Sequence, residues 1–266
     1  MSISGLFAYE FILNAIMAGT LAGILTGLVG YFLVLRQLTF VGHALGHIGF
    51  AGATGAYLLG LSPWTGQLVL TILSAIGMGC LGNRLNGRDI AVGIVLAFSL
   101  GLGMLFLHFY NAYASQAITV LFGNLLGVST EMLQSLAVYA LLSCIAIASI
   151  AKPLLFISLE PDLAEARGLP LYTISLFFLI VAAIAIVIAS QIVGILFVFT
   201  LLVGPAASAL NWAHTTQTGI LLSIGLAVLT VWLGLLGAFI TDWPIPFWMS
   251  ALSLGTYLLS VGTSRY

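Results

Sequence analysis

Two histidines stand four residues apart in the stretch Val41-Gly42-His43-Ala44-Leu45-Gly46-His47. On a helix this spacing puts both imidazoles on one face, where their ring nitrogens reach a common ion. Neutral imidazole suits zinc, copper, iron and nickel, and binds manganese less preferentially. Counting from Arg36, His43 and His47 should lie roughly 10 and 16 Å inside a bilayer, at the helical rise of ~1.5 Å per residue. The deeper one is near the midplane, where transporters commonly hold their cargo. A single histidine in a span reads as a hydrogen-bonded packing residue. Two on one face, flanked by Gly42, Gly46 and Gly49, read as contacts for a passing metal. A full ligand set needs a donor from another span. His108, Asn124, Gln191 and Asp242 are the candidates, although each alone also suits an interfacial or capping position. His214 falls in a turn and should be solvated.

Other chemistry fails on inventory. The only lysine, Lys152, follows Ser149-Ile150-Ala151 and precedes Pro153. It lacks the glycine spacing and the Ser/Thr of a P-loop, so no nucleotide site can be built. There is no HExxH and no Gly-x-Ser-x-Gly elbow, and the spans hold no carboxylate pair for acid–base work. Cys80 and Cys144 sit inside apolar runs and read as packing residues. No resident cofactor is expected, and no enzymatic activity.

The elements that must hold the histidines are membrane spans. Of 266 residues, 62% are hydrophobic and 5% charged, with a mean hydropathy of +1.23. A soluble domain needs about 25% charged residues to cover its surface. This surface must face lipid, and no basic patch is available for nucleic acid. Residues 1–9 contain no Lys or Arg, so the first apolar run should remain as a span rather than act as a cleaved signal. At ~20 residues per crossing, spans are expected near 10–35, 38–60, 63–83, 90–110, 131–151, 171–190, 193–212, 217–240 and 245–263. This is an all-α polytopic protein of about nine helices, forming one domain over 1–266. A broken or re-entrant helix fits equally well around 190–193, where Ser190-Gln191 interrupts two apolar runs.

Charge sets the orientation. With the N-terminus outside, Arg36, Arg84, Arg88, Lys152, Arg167 and Arg265 all fall on inner loops, and the C-terminus is cytoplasmic. Gly19, Gly23 and Gly27 repeat every four residues in the first span, as Gly42 and Gly46 do in the second. Such stripes let helix backbones approach closely in lipid. The largest inner loop holds Glu160-Pro161-Asp162-Leu163-Ala164-Glu165-Ala166-Arg167-Gly168-Leu169-Pro170. Pro161 suits a first helical turn, Asp162 the positive dipole end and Arg167 the negative end. Gly168 suits a left-handed cap and Pro170 a stop. A short docking helix on the inner face is expected, with an ordinary solvated connection as the bland alternative.

The chain resembles the permease subunits of bacterial zinc/manganese/iron ABC importers over nearly its whole length. Four stretches carry the likeness: VGHALGHIGFAG (41–52), LFGNLLGVS (121–129), LEPDLAEARGL (159–169) and IVGILFVFTLLVGPA (192–206). The resemblance implies the fold of vitamin B12 and siderophore importer permeases. It also implies a homodimer in the bacterial cytoplasmic membrane, two cytoplasmic ATPases, and an extracytoplasmic receptor that delivers the ion. By the same likeness, 159–169 is the coupling helix that seats in the ATPase, with Glu160, Asp162, Glu165, Arg167 and Gly168 at matching positions. The 41–52 stretch matches the motif lining the ion path. Family members usually carry Asp where His43 stands, and Ser or Ala where Gly46 stands. Histidine for aspartate removes a hard oxygen donor and a negative charge, which favours zinc over manganese or iron. Two other readings are an ABC permease for an iron chelate or cobalamin, and an ion-driven secondary transporter. The second is disfavoured because Glu10, Asp89, Glu131, Glu160, Asp162, Glu165 and Asp242 all fall at or near span ends.

Overall fold

Apolar runs of this length become helices because the backbone has no water to bond to in hydrocarbon, and an α-helix satisfies its own donors and acceptors. The computed structural model describes residues 10–82, 88–109 and 119–263. The described residues form an all-α bundle. Its long helices are α1 (Glu10–Leu35), α2 (Thr39–Leu58), α3 (Pro63–Gly82), α4 (Arg88–Phe109) and α5 (Thr130–Leu159), followed after a short helix α6 (Pro161–Ala166) by α7 (Leu171–Val193), α8 (Ile195–Trp212), α9 (Thr216–Thr241) and α10 (Ile245–Thr263). Between α4 and α5, residues 119–122 are helical and Leu125–Gly127 forms a 3-10 turn. Seven long helices are apolar enough to cross a membrane by length and composition; α2 and α3 fall below that level. Composition explains this. Helix α2 carries both histidines and five glycines, and α3, α4, α7 and α8 pack around it, so lipid makes little demand on its sequence.

Two boundaries differ from expectation. Helix α5 runs on to Leu159 through Pro153. A proline costs one backbone hydrogen bond and some steric strain, and here the buried Leu154 and Ile157 beyond it hold the helix in register. Ser190 and Gln191 do not interrupt a helix; α7 absorbs both and ends at Val193. The break is the single residue Gly194, at φ 93° and ψ 152°, a region open almost only to glycine.

The centre of the bundle is α1 and α7. Along α1, the glycine stripe meets α9 and α8: a Cβ on Gly23 would stand 2.9 Å from the Val228 backbone, one on Gly27 2.6 Å from that of Ile224, and one on Gly30 would strike the Leu202 carbonyl. Helices α2 and α4 run parallel, with Phe40 beside Gly93 and Phe50 beside Gly103. Arg36 bonds to Ser175 near the start of α7, so Arg36, the first residue of α4 (Arg88) and Arg167 lie at one end of the bundle, with Lys152 two turns from the end of α5. Arg84 and Arg265 lie outside the described residues.

The Gly194 corner is packed backbone to backbone. A Cβ there would strike Phe122 and Gly123, and Gly123 itself has φ 76°. Gly194→Ala is therefore expected to lower stability by about 1–3 kcal/mol, while Gly225→Ala, which meets nothing within 4 Å, should leave it unchanged or slightly raised. Thermal unfolding midpoints of the two variants in detergent check this.

Candidate metal path

His43 is one turn into α2, and His47 is one turn further. Their ring centroids are 4.5 Å apart with planes at 72°. The His43 ring also meets the Phe199 ring of α8 edge-on at 4.7 Å. Both histidines are half-buried. They face the side of α2 between α4 and α8, away from the α2–α3 contact at Gly52 and Gly66. Between them on the helix, Gly46 brings α2 close to Val198, Ile186 and the Ile195 carbonyl, each 3.6 to 3.9 Å from the place of a Cβ. A Cβ at 46 would make ordinary van der Waals contact there, so alanine fits, whereas a longer side chain would push α8 away from the pair.

Most buried polar groups in a protein have a hydrogen-bond partner. The Nδ1 of His47 is buried and has none. An imidazole nitrogen kept unbonded next to a second imidazole is free to take a cation. One turn beyond His47, Phe50 packs with Ile195, Leu107, Val120 and Leu121 in a small apolar cluster of its own. That cluster closes the end of the histidine face remote from the basic residues.

The four supplementary donors do not gather round the pair. No group of three or more His, Cys, Asp or Glu forms among the described residues, so neither His108 nor Asp242 completes a site. His108 is exposed near the end of α4, beside Phe109. Asp242 is exposed and ends α9 in a left-handed conformation, φ 59°. Asn124 precedes the 3-10 turn, lines an outer cavity of about 280 Å³ with Phe122, Leu126, Pro244 and Met249, and touches Gly127. Gln191 donates to the Oε1 of Gln67. His214 lies in the turn between α8 and α9.

Gln67 is the buried polar residue that sequence reasoning passed over. It is 1% exposed, donates to the Ser190 Oγ at 2.7 Å and accepts from Gln191. Gly49 of α2 gives it room, since a Cβ at 49 would stand 3.0 Å from its amide. The signal was available, as an uncharged amide one turn into an apolar span needs a partner. Three groups satisfied together tie α3 to the end of α7, next to the Gly194 corner.

At the basic end, α6 has Pro161 in its first turn with Asp162, and Gly168 follows at φ 74°. Its carbonyls are closed by Gly168 N to Glu165 O at 2.8 Å and Leu169 N to Ala164 O at 3.1 Å. Ala164 is buried, while Glu160, Asp162, Glu165, Arg167 and Gly168 are exposed. The Arg167 guanidinium lies over Phe156, 5.3 Å from the ring centre. The result is a short, capped helix that exposes its charged residues.

The family model described as "ABC 3 transport family" matches residues 8–263. The chain belongs to the ABC 3 transport family. Its relatives there include the manganese import system permease protein ScaB of Streptococcus gordonii, 31% identical over 88% of this chain and 84% of that one. A Haemophilus influenzae protein named "Probable iron transport system membrane protein" is 32% identical, over 76% of this chain and 75% of that one. The fold is similar to that in the solved structure of PsaBC from Streptococcus pneumoniae in complex with Fab, with a TM-score of 0.88 and 26% identity over 99% of this chain and 95% of that one. Members of the ABC 3 transport family are permease subunits, so this chain's part is to form a membrane pathway.

Replacing Gln67 by Leu would take the acceptor from the half-buried Gln191 amide and one of two bonds from the buried Ser190 hydroxyl, which keeps its bond to the Val187 carbonyl. It should cost about 1–3 kcal/mol, the desolvation penalty of groups left unbonded, and Gln67→Glu should cost no less. Detergent unfolding midpoints compared with that of the unsubstituted protein check this.

Proposed function

We propose that this chain is the membrane permease of an ATP-driven importer for a divalent transition metal ion. The observation that carries the reading is the His43–His47 pair, rings 4.5 Å apart, with the His47 Nδ1 buried and unbonded. The similarity to relatives named for manganese and iron transport supports the cargo class. Two imidazoles hold a dehydrating cation weakly, and conduction requires that it leave again. Manganese and iron have the support of the relatives' names. Zinc is the second reading: an imidazole pair with no carboxylate beside it suits a borderline metal better than manganese.

The chain carries no P-loop, so the energy comes from separate cytoplasmic ATPase subunits. They dock on α6 through Glu160, Asp162, Glu165, Arg167 and Gly168. The basic end of the bundle is cytoplasmic by the positive-inside rule, which puts the N-terminus outside and the C-terminus inside a bacterial cytoplasmic membrane. A receptor delivers the ion at the outer end, and a second copy of this chain completes the path. Closure of the ATPases moves α6, rocks the helices, and opens the histidine face to one side at a time. The apolar cluster around Phe50 is the barrier on the outer side.

Reconstitution in proteoliposomes with the cognate ATPase and receptor tests this. The His43→Ala/His47→Ala double variant should assemble with the ATPase yet lose uptake of radiolabelled manganese, iron and zinc alike. Full uptake by that variant would remove the site assignment. Uptake of a siderophore complex in place of the bare ions would move the cargo to a chelate, and uptake driven by a proton gradient without ATP would make the protein a secondary transporter.

Restoring a hard donor should shift selectivity. His43→Asp is expected to raise manganese uptake relative to zinc, read as the concentration of zinc needed to halve manganese transport.

A further inference from the structure

We propose that Arg36 is a positioning residue that carries movement of α6 to the histidine helix, acting through the first turns of α7. This rests on the reading of α6 as the ATPase contact and goes beyond it by naming the link to the metal path.

The geometry has three parts. First, α6 is joined to α7 without slack. Leu169 N bonds to Ala164 O, Leu171 N to Leu169 O at 2.9 Å, and Ile174 N to Pro170 O at 3.1 Å. A displacement of α6 therefore reaches Ser175 with little loss.

Second, Arg36 grips that turn of α7 twice. Its Nη2 donates to the Ser175 Oγ at 2.7 Å, and its guanidinium lies over Phe178, 5.7 Å from the ring centre. Ser175 and Phe178 are three apart and so share one face. Phe178 is fully buried and meets the Phe32 ring of α1 edge-on at 6.0 Å. Beside it, Leu176 packs against Gly79, and the Tyr172 hydroxyl meets the Cys80 thiol at 3.1 Å; apolar surfaces slide over one another, and a thiol is a weak hydrogen-bonding group. A charge-assisted hydrogen bond has direction and is stronger than a neutral one, so here it fixes register.

Third, Arg36 sits in a tight link between α1 and α2. Arg36 N bonds to Phe32 O at 3.0 Å, Gln37 N to Val34 O at 3.0 Å, Leu38 N to Leu33 O at 2.7 Å and Gly42 N to Leu38 O at 3.0 Å. Gln37 holds φ 55° to close the turn. Gly42 is seated against Leu33, 3.0 Å from the place of a Cβ. Whatever shifts Arg36 shifts the first turns of α2, and His43 is in the second of them. Lysine could supply the charge at 36, but not a planar group that stacks and donates sideways at once.

The test uses the whole importer in proteoliposomes and reads radiolabelled manganese taken up per ATP hydrolysed. Arg36→Lys and Ser175→Ala should each lower that ratio by about fivefold or more, the range of a coupling interaction, with ATP hydrolysis and assembly retained. Ser175→Thr keeps the hydroxyl and should restore the ratio. Where Arg36→Lys does not insert, the Ser175 pair decides. The inference is overturned if both variants keep the unsubstituted ratio, if Ser175→Thr does no better than Ser175→Ala, or if Ser175→Ala loses the ATPase altogether. If α6 variants such as Glu165→Lys leave ATPase binding intact, the docking role of α6 fails instead, and this inference falls with it.

Discussion

Helices in lipid gain little from burying greasy side chains against one another, because the surrounding tails are equally apolar. What remains is close contact, and small residues make that contact. In this protein the approach of α1 to α8 and α9 over Gly23, Gly27 and Gly30 leaves no room for a side chain. That contact fixes α1 as a post. The tight turn after Arg36 then fixes α2 to the post, and α2 carries the histidines. Loosening the glycine seam would lower stability and also unseat the histidine face proposed to meet the metal.

Against that scaffold, polar groups are few and almost all are accounted for. Serine and threonine hydroxyls bond back to carbonyls three or four residues earlier, as Thr54 does to Phe50 and Thr71 to Gln67. The Gln67–Ser190–Gln191 set satisfies itself across two helices. An unbonded buried nitrogen on His47 is costly in such surroundings. The proposed passage of a cation would supply the missing partner.

The path also needs parts that yield. Gly194 lets α7 and α8 meet in a one-residue corner that no other residue would permit without strain, and the 119–127 stretch packs backbone to backbone against it. Ile195, the first residue of α8, and Val120 and Leu121 of the segment packed on the corner belong to the Phe50 cluster. In the proposed transport cycle, the glycine seam keeps α1 in place while movement that enters through Arg36 shifts the first turns of α2 past the α7–α8 corner.

Much of this was legible in the chain. Apolar length alone placed the long helices to within a few residues, because backbone hydrogen bonding in lipid leaves a segment no alternative to the helix. The four-residue spacing of His43 and His47 put the rings on one face, and the proline and glycine of 160–170 marked out α6, since both are local properties of a helix. Two boundaries misled. The fifth span is expected over 131–151, yet α5 runs through Pro153 to Leu159, and Ser190-Gln191 looks like a break because their partner Gln67 is 123 positions away from Ser190 in the chain. Whether Asn124, Gln191, His108 or Asp242 could reach the histidines, where Phe199 and Ile195 fall, and what Arg36 grips were decided only when helices distant in sequence were set side by side. Periodicity tells a residue which way to face, but only the packed bundle determines what it meets there.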